Sequence, residues 1–157
     1  MELAFTQNFQ AEPAKVVALF RNEAFIADLA EHAGATSHDV TLTDENTVLA
    51  MQMPTPGNVA AFIGKTVKLT MTFAFQESGS DGSYRGKVDV DVPGMPIDVV
   101  ANADIAPAPS GAKGNYSGEL RVKIPLVGKK AEAQIAPVIT RAFNQVERRA
   151  NVWLAKG

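Results

Sequence analysis

Residues Lys129–Lys156, KKAEAQIAPVITRAFNQVERRANVWLAK, decide the fold. Ala131, Ile135, Ile139, Ala142, Phe143, Val146, Ala150, Trp153 and Leu154 recur at helical spacing, so this stretch predicts one long amphipathic helix. Glu132, Arg141, Gln145, Arg148 and Arg149 form its other side. At 1.5 Å per residue it spans roughly 40 Å, longer than any strand this chain can build. A β-like segment, Gly118 to Leu126, precedes it and turns at Gly128. One long terminal helix after a run of strands predicts a sheet wrapped around a helix, an arrangement that leaves a hydrophobic hollow.

Upstream of this pair the chain reads as more strands. Leu3, Phe5 and Phe9 alternate with polar residues over Glu2–Gln10. Glu12-Pro13 opens a helix with Val16, Val17, Leu19 and Phe20 on its apolar side; Asn22 caps a second one, which Gly34 ends. Two weaker strands follow at Ser37–Thr43 and Thr47–Met53. Pro54-Thr55-Pro56-Gly57 breaks the pattern, and Asn58–Ile63 reads as one helical turn. Four clearly alternating strands then form an antiparallel meander. They carry Val67 to Phe75, Tyr84 to Val92, Ile97 to Ile105, and Tyr116 to Leu126 on their apolar sides. Their connections are Ser78–Gly82, Pro93–Pro96 and a loop holding Pro107, Pro109, Gly111 and Gly114.

Counting from these turns predicts the rows of the sheet. Phe75, Tyr84, Ile105 and Tyr116 share one row, and Phe73, Gly86, Ala103 and Gly118 the next. Met71, Val88, Ala101 and Leu120 follow, then Leu69, Val90, Val99 and Val122. The second row is nearly all tiny, so it predicts a cavity beneath the helix, unless those glycines only admit a close backbone. On the outer face Lys68 falls opposite Asp91, and Lys123 opposite Asp98. That balance explains Asp89, Asp91 and Asp98 without a metal.

Composition bounds the rest. The 157 residues suit one domain, with 46% hydrophobic and 20% charged residues. A net charge of −2 argues against a nucleic-acid partner held through phosphates. The absence of cysteine removes disulfides, thiol nucleophiles and thiolate metal sites. No apolar run reaches the ~20 residues of a membrane span, and Met1–Thr6 has no signal-peptide pattern, so a cytoplasmic protein without membrane insertion is expected. Neither Gly57, Gly64, Gly79, Gly82 nor Gly94 lies in a phosphate-cradling pattern. His32 reads as a helix C-terminal cation. His38 is the one candidate general base, with no nucleophile or second ligand at a recognisable spacing. Pro137 predicts a bend in the long helix, serving the curved sheet or a hinge at the cavity mouth. Trp153 is expected to close the core against the first strand and first helix.

The order strand, two short helices, six strands, long helix resembles the helix-grip fold of the START-like superfamily, also called SRPBCC, over essentially the whole chain. The local match is to an uncharacterised bacterial family within it. It rests on Val122–Glu132, Glu147 and Trp153-Leu154, with Gly94-Met95-Pro96 and Phe62-Ile63-Gly64. The resemblance implies an α+β fold, a single START-like domain over 1–157, with about seven antiparallel strands curved around the C-terminal helix. It also implies a small hydrophobic ligand, lipid- or polyketide-like, held without a cofactor. The expected lining is Phe73, Phe75, Tyr84, Gly86, Val88, Ala101, Ala103, Tyr116, Gly118, Leu120, Ile135, Ile139 and Phe143, with the two tyrosines as its polar contacts. No catalytic or metal-binding residues are assigned. The alternatives are a cyclase or aromatase using the same pocket, for which His38 and Tyr116 would converge on a bound carbonyl, and a ligand-free interaction module with a filled core.

Overall fold

The computed structural model describes residues 1–56 and 59–156; Gly57 and Asn58, part of the expected break and helical turn, lie outside the described residues. Alternating side chains give strand β1 (Glu2–Phe9). Helix α1 (Pro13–Leu19) starts on Pro13, whose missing amide hydrogen costs nothing at a first turn. Helix α2 (Glu23–His32) is capped by Asn22, whose Oδ1 accepts from the amides of Ala24 (3.0 Å) and Phe25 (3.3 Å). It ends before Gly34, whose φ of 88° lies where glycine is favoured. Strands β2 (Ser37–Leu42) and β3 (Thr47–Pro54), the short α3 (Ala60–Ile63), and strands β4 (Thr66–Glu77), β5 (Tyr84–Asp91), β6 (Ile97–Ala108) and β7 (Gly111–Val122) lead to α4 (Gly128–Ala155).

Among the described residues the strands form one seven-stranded antiparallel sheet in the order β1-β7-β6-β5-β4-β3-β2. Ile135 and Phe143 of α4 are buried and Ile139 is half-buried, as a helix gripped by a sheet requires. Gly128 starts α4 against the end of β7, where a Cβ would come within 2.6 Å of the Val122 carbonyl oxygen. Glu132 then reaches back to accept from the Val122 amide (3.1 Å), which holds its carboxyl below the usual range.

The expected rows need correction by two residues at two of three turns. Phe75 pairs with Gly86 rather than Tyr84, and Ala103 with Tyr116 rather than Gly118; the β5–β6 pairing stands, with Tyr84 opposite Ile105. The first shift comes from the turn itself. The Asp81 carboxylate accepts from the Ser83 amide and hydroxyl (both 3.0 Å), and the Ser78 amide bonds the Ser83 carbonyl, so pairing resumes at Glu77–Tyr84. The second comes from the prolines. Pro107 stays in the ladder opposite Ala112, and Pro109-Ser110 alone makes the hairpin.

Other expectations change with the register. Asp98 faces Arg121, not Lys123, at 3.4 Å, and Lys68 faces Gln52 while Asp91 faces Thr70. The strand expected over Gly118–Leu126 starts earlier and stops at Val122. Trp153 packs edge-on against Phe25 of α2, centroids 5.7 Å apart, at the edge of the cluster that also holds Phe9 of β1 and Val16 of α1. Beside it, Arg149 Nε and a terminal nitrogen bond both Asp28 oxygens (2.8 and 3.0 Å), tying α4 to α2.

Candidate functional site

α4 does not lie over the middle of the sheet. It rests on β1 and β7 and on α1 and α2. Phe5 stacks on Phe143 at 4.4 Å, and Tyr116 meets the same ring edge-on at 5.3 Å, fixing the helix to that side. Between α4 and strands β3–β6 the side chains are mostly Met, Leu, Val and Ile, too short to bridge the gap. A cavity of about 190 Å³ remains there. Protein interiors hold few voids larger than a water molecule, so this one is out of the ordinary. It is smaller than the roughly 300–1,000 Å³ that drug-sized ligands occupy.

Met51 and Met53 of β3, Leu69, Met71 and Phe73 of β4, Val88 and Val90 of β5, Ile97 and Val99 of β6, and Leu120 of β7 form its floor. Ile135, Val138, Ile139, Ala142, Phe143 and Val146 form its roof, and Thr55, Pro56, Val59 and Ile63 one end. Leu69, Met71 and Val90 point inward yet are only half-buried, because their free surface faces the hollow. Polar side chains on its border are few: Gln7, Thr55, Asp98 and Tyr116. Burial raises the Tyr116 phenol well above its ordinary value, with the Glu147 charge adding to it, so the group stays neutral.

Seven of the expected residues line this cavity: Phe73, Val88, Tyr116, Leu120, Ile135, Ile139 and Phe143. Six do not. Phe75, Gly86 and Ala103 border a separate open groove of about 720 Å³, shared with Arg21, Asp44, Glu45, Arg85 and Lys87. Tyr84 bonds Glu77 (3.4 Å) at the surface, and Ala101 and Gly118 are packed within the sheet. The row of tiny residues is therefore not the floor of the cavity beneath α4. A Cβ on Gly86 would collide with the Ala74 carbonyl and come within 2.6 Å of the Phe75 ring. One on Gly118 would strike the Val100 carbonyl and lie 2.6 Å from the Ala101 Cα. Both glycines serve close backbone approach in a strongly bent sheet.

Gln7 and the methionines were not among the expected lining. Gln7 carried a signal, since its place between Phe5 and Phe9 on alternating β1 directs it inward. The wall at Met51, Leu69, Met71, Val90 and Val99 follows from where α4 leans, which strand parity does not encode. His38 is exposed on edge strand β2, away from the cavity, and does not converge with Tyr116. His32 ends α2, with Nδ1 2.9 Å from the Asp28 carbonyl, at the site expected for a cation. Among the described residues no group of three or more His, Asp or Glu is placed to hold a metal. None of their helices is long and apolar enough to cross a membrane.

Residues 4–154 match the family described as "Protein of unknown function (DUF2505)". The chain belongs to that family. No curated protein matches it in sequence. Solved structures share its helix-grip architecture. One, from Thermus thermophilus, is 13% identical with a TM-score of 0.64, covering 96% of this chain and 97% of that one. Norcoclaurine synthase of Thalictrum, a point mutant in complex with a transition-state analogue, is 11% identical with a TM-score of 0.57, covering 99% and 93%. The di-domain ARO/CYC StfQ of the steffimycin biosynthetic pathway is 11% identical with a TM-score of 0.63, covering 96% of this chain and 50% of StfQ. At these identities the likeness establishes the fold, which is the START-like helix grip expected from the sequence.

Proposed function

We propose that this domain binds a small, mostly apolar molecule in the cavity between β3–β6 and α4, and that binding or carriage rather than catalysis is its role. The observation that carries this reading is an apolar hollow of about 190 Å³ between the sheet and α4, walled almost entirely by aliphatic, methionine and phenylalanine side chains. An apolar cavity of roughly 150 Å³ is enough to stay dry and admit benzene, so the space suits a ring or a short chain. That is smaller than the lipid- or polyketide-sized ligand expected from the family resemblance. A larger guest requires α4 or α3 to give way. The fold shared with norcoclaurine synthase and with an aromatase/cyclase supports a ligand-holding use of this space. His38 and Tyr116 do not converge here, which leaves the catalytic alternative without its expected pair.

Filling the hollow tests the reading. Val90→Phe is expected to abolish the fluorescence enhancement of 1-aminonaphthalene, a two-ring dye small enough for the hollow, while the melting temperature holds, because the new ring occupies existing space. Full dye binding by the folded variant would place the dye elsewhere and reject the cavity as the site. Mass spectrometry of small molecules released from gently purified protein then identifies the natural guest.

A further inference from the structure

The loop between β7 and α4 carries the most exposed large apolar side chain among the described residues. Leu126 is 106% exposed, as open to water as in an extended chain. Its φ of 70° puts it in the left-handed region, where no other described residue except glycine stands. For a bulky side chain that conformation is strained, and strain of this kind gathers at functional sites. The loop itself is well anchored. Gly128 backs onto the Val122 carbonyl, so the two ends of the loop meet. Ile124 is half-buried and packs into the aliphatic end of the core, leaving Leu126 and Val127 as an outward tip. The surroundings are basic. Lys123, Lys129 and Lys130 flank the tip and are exposed, and none is ion-paired among the described residues. Glu132, the next acidic residue along α4, is already engaged by the Val122 amide (3.1 Å) and the Met1 amino group (3.3 Å). Lys129 and Lys130 also stand in the first turn of α4, which has no capping side chain and no acidic residue. A helix start carries partial positive charge, so cations there oppose the helix rather than support it.

We infer that this loop docks the protein on an anionic lipid bilayer, with Leu126 and Val127 entering the boundary between headgroups and acyl chains and the lysines meeting lipid phosphates. A bilayer accepts a lone protruding leucine without a shaped pocket, and its headgroups supply the negative charge that the first turn of α4 lacks. A stable protein interface takes roughly 20–30 residues a side, whereas the apolar tip here is a pair. The net charge of the whole chain is −2, so attraction to an anionic surface is local to this basic knob and orients the molecule. No described helix is long and apolar enough to cross a membrane, and the association is one of lying on the surface. The inference does not depend on the cavity holding a guest, yet it bears on how one would arrive. Ile124 packs against the cluster of Ile97, Val99, Leu120 and Ile135, which also wall the hollow. Docking by this loop therefore sets the aliphatic end of the chamber nearest the phase in which apolar molecules collect.

Co-sedimentation with vesicles tests this, using phosphatidylcholine alone and equal parts of phosphatidylcholine and phosphatidylglycerol. The wild-type protein is expected to bind the mixed vesicles at low salt, to leave them as salt rises, and to ignore phosphatidylcholine. Lys129→Gln combined with Lys130→Gln should weaken binding by about 25-fold, roughly fivefold for each lysine near an anionic surface. Leu126→Gly should weaken it by about tenfold or more while the melting temperature holds or rises, since glycine accepts this φ without strain. A side chain that only stabilised the fold would give the reverse, a lower melting temperature with unchanged binding. The chain has no cysteine, so Leu126→Cys and Ser80→Cys each offer a single site for an NBD fluorophore. Its emission should rise on mixed vesicles at position 126 and stay constant at position 80, in the β4–β5 turn at the opposite end of the strands. Failure of the wild type to bind mixed vesicles at low salt, or binding that survives both sets of substitutions, would overturn the inference. Self-association in ultracentrifugation that Leu126→Gly abolishes, without vesicle binding, would also overturn it and give the knob to a second copy of the chain.

Discussion

The two ends of the interior use the same sheet and the same helix but different side chains, rings at one end and short aliphatics at the other. Under α1, α2 and the second half of α4 the core holds Phe9, Phe20, Phe25, Phe73 and Phe143, with Phe5, Phe75 and Trp153 packed against it. Phe20 alone lies within 6 Å of three other rings. Toward the first half of α4 the buried residues are Val59, Val67, Val92, Ile97, Val99, Leu120, Val122, Ala131 and Ile135, without a buried aromatic ring. Short aliphatic side chains reach less far from the sheet than rings do. The hollow runs from the rings of Phe20, Phe73 and Phe143 into the aliphatic end, where the side chains are too short to close it. Stability belongs to the aromatic end and adaptability to the aliphatic one.

The comparison breaks most visibly at Phe25, which is fully buried between the rings of Phe20 and Trp153. Phe25→Ala should cost roughly 3–5 kcal/mol in urea unfolding. A loss under about 1 kcal/mol would mean the aromatic end is no better packed than the other. Enlargement should have opposite consequences at the two ends. Ala30→Phe, at a fully buried position of α2 in the aromatic end, should cost about 1–3 kcal/mol by overpacking, whereas Val90→Phe should be neutral or stabilising. Equal costs would show that the cavity collapses in solution. A smaller effect concerns the Asp28–Arg149 clamp at the packed end. Hydrogen bonding to Arg149, against the opposing effect of burial, holds Asp28 below the usual carboxylate value of 3.8. Its stabilising contribution is therefore present above pH about 4 and lost as the pH falls through the lowered value. The difference in melting temperature between wild type and Asp28→Asn should shrink on acidification below pH about 4. A difference that stays constant down to pH about 2 would remove the ion pair from the account.

Much of the fold was legible because the alternation of strands and the stripe on α4 are strong signals. Even where rows were wrong, faces were right, since a slip of two residues leaves each side chain on its own side of the sheet. The rows themselves depend on turn lengths, and those were set by details that alternation does not report. The Asp81–Ser83 bonds tighten one turn, and prolines that read as loop sit at the end of the β6–β7 ladder. The site was half legible for the same reason. Phe73, Val88 and Leu120 follow from parity and the α4 residues from helical spacing, but which strands face empty space depends on the sideways lean of α4 onto β1 and β7. Gln7 is legible from its place between Phe5 and Phe9, against the general tendency of a polar residue in an amphipathic strand to face outward.

The placement of β1 beside β7 has a consequence for the order in which this molecule comes together. Strands β2 to β7 pair with their neighbours in sequence, through hairpins or short connections, whereas Thr6 meets Asn115 across 109 residues. Non-local pairing of this kind closes a large loop before any contact rewards it, so it belongs late on the folding route. The meander should form first, with β1 and α4 added afterwards. Substitutions in β5 and β6 are then expected to slow refolding, while Phe5→Leu and Ile139→Val should chiefly speed unfolding. Until the last step the concave side of the sheet stands open to water, and the chamber exists only once the chain's two ends have met.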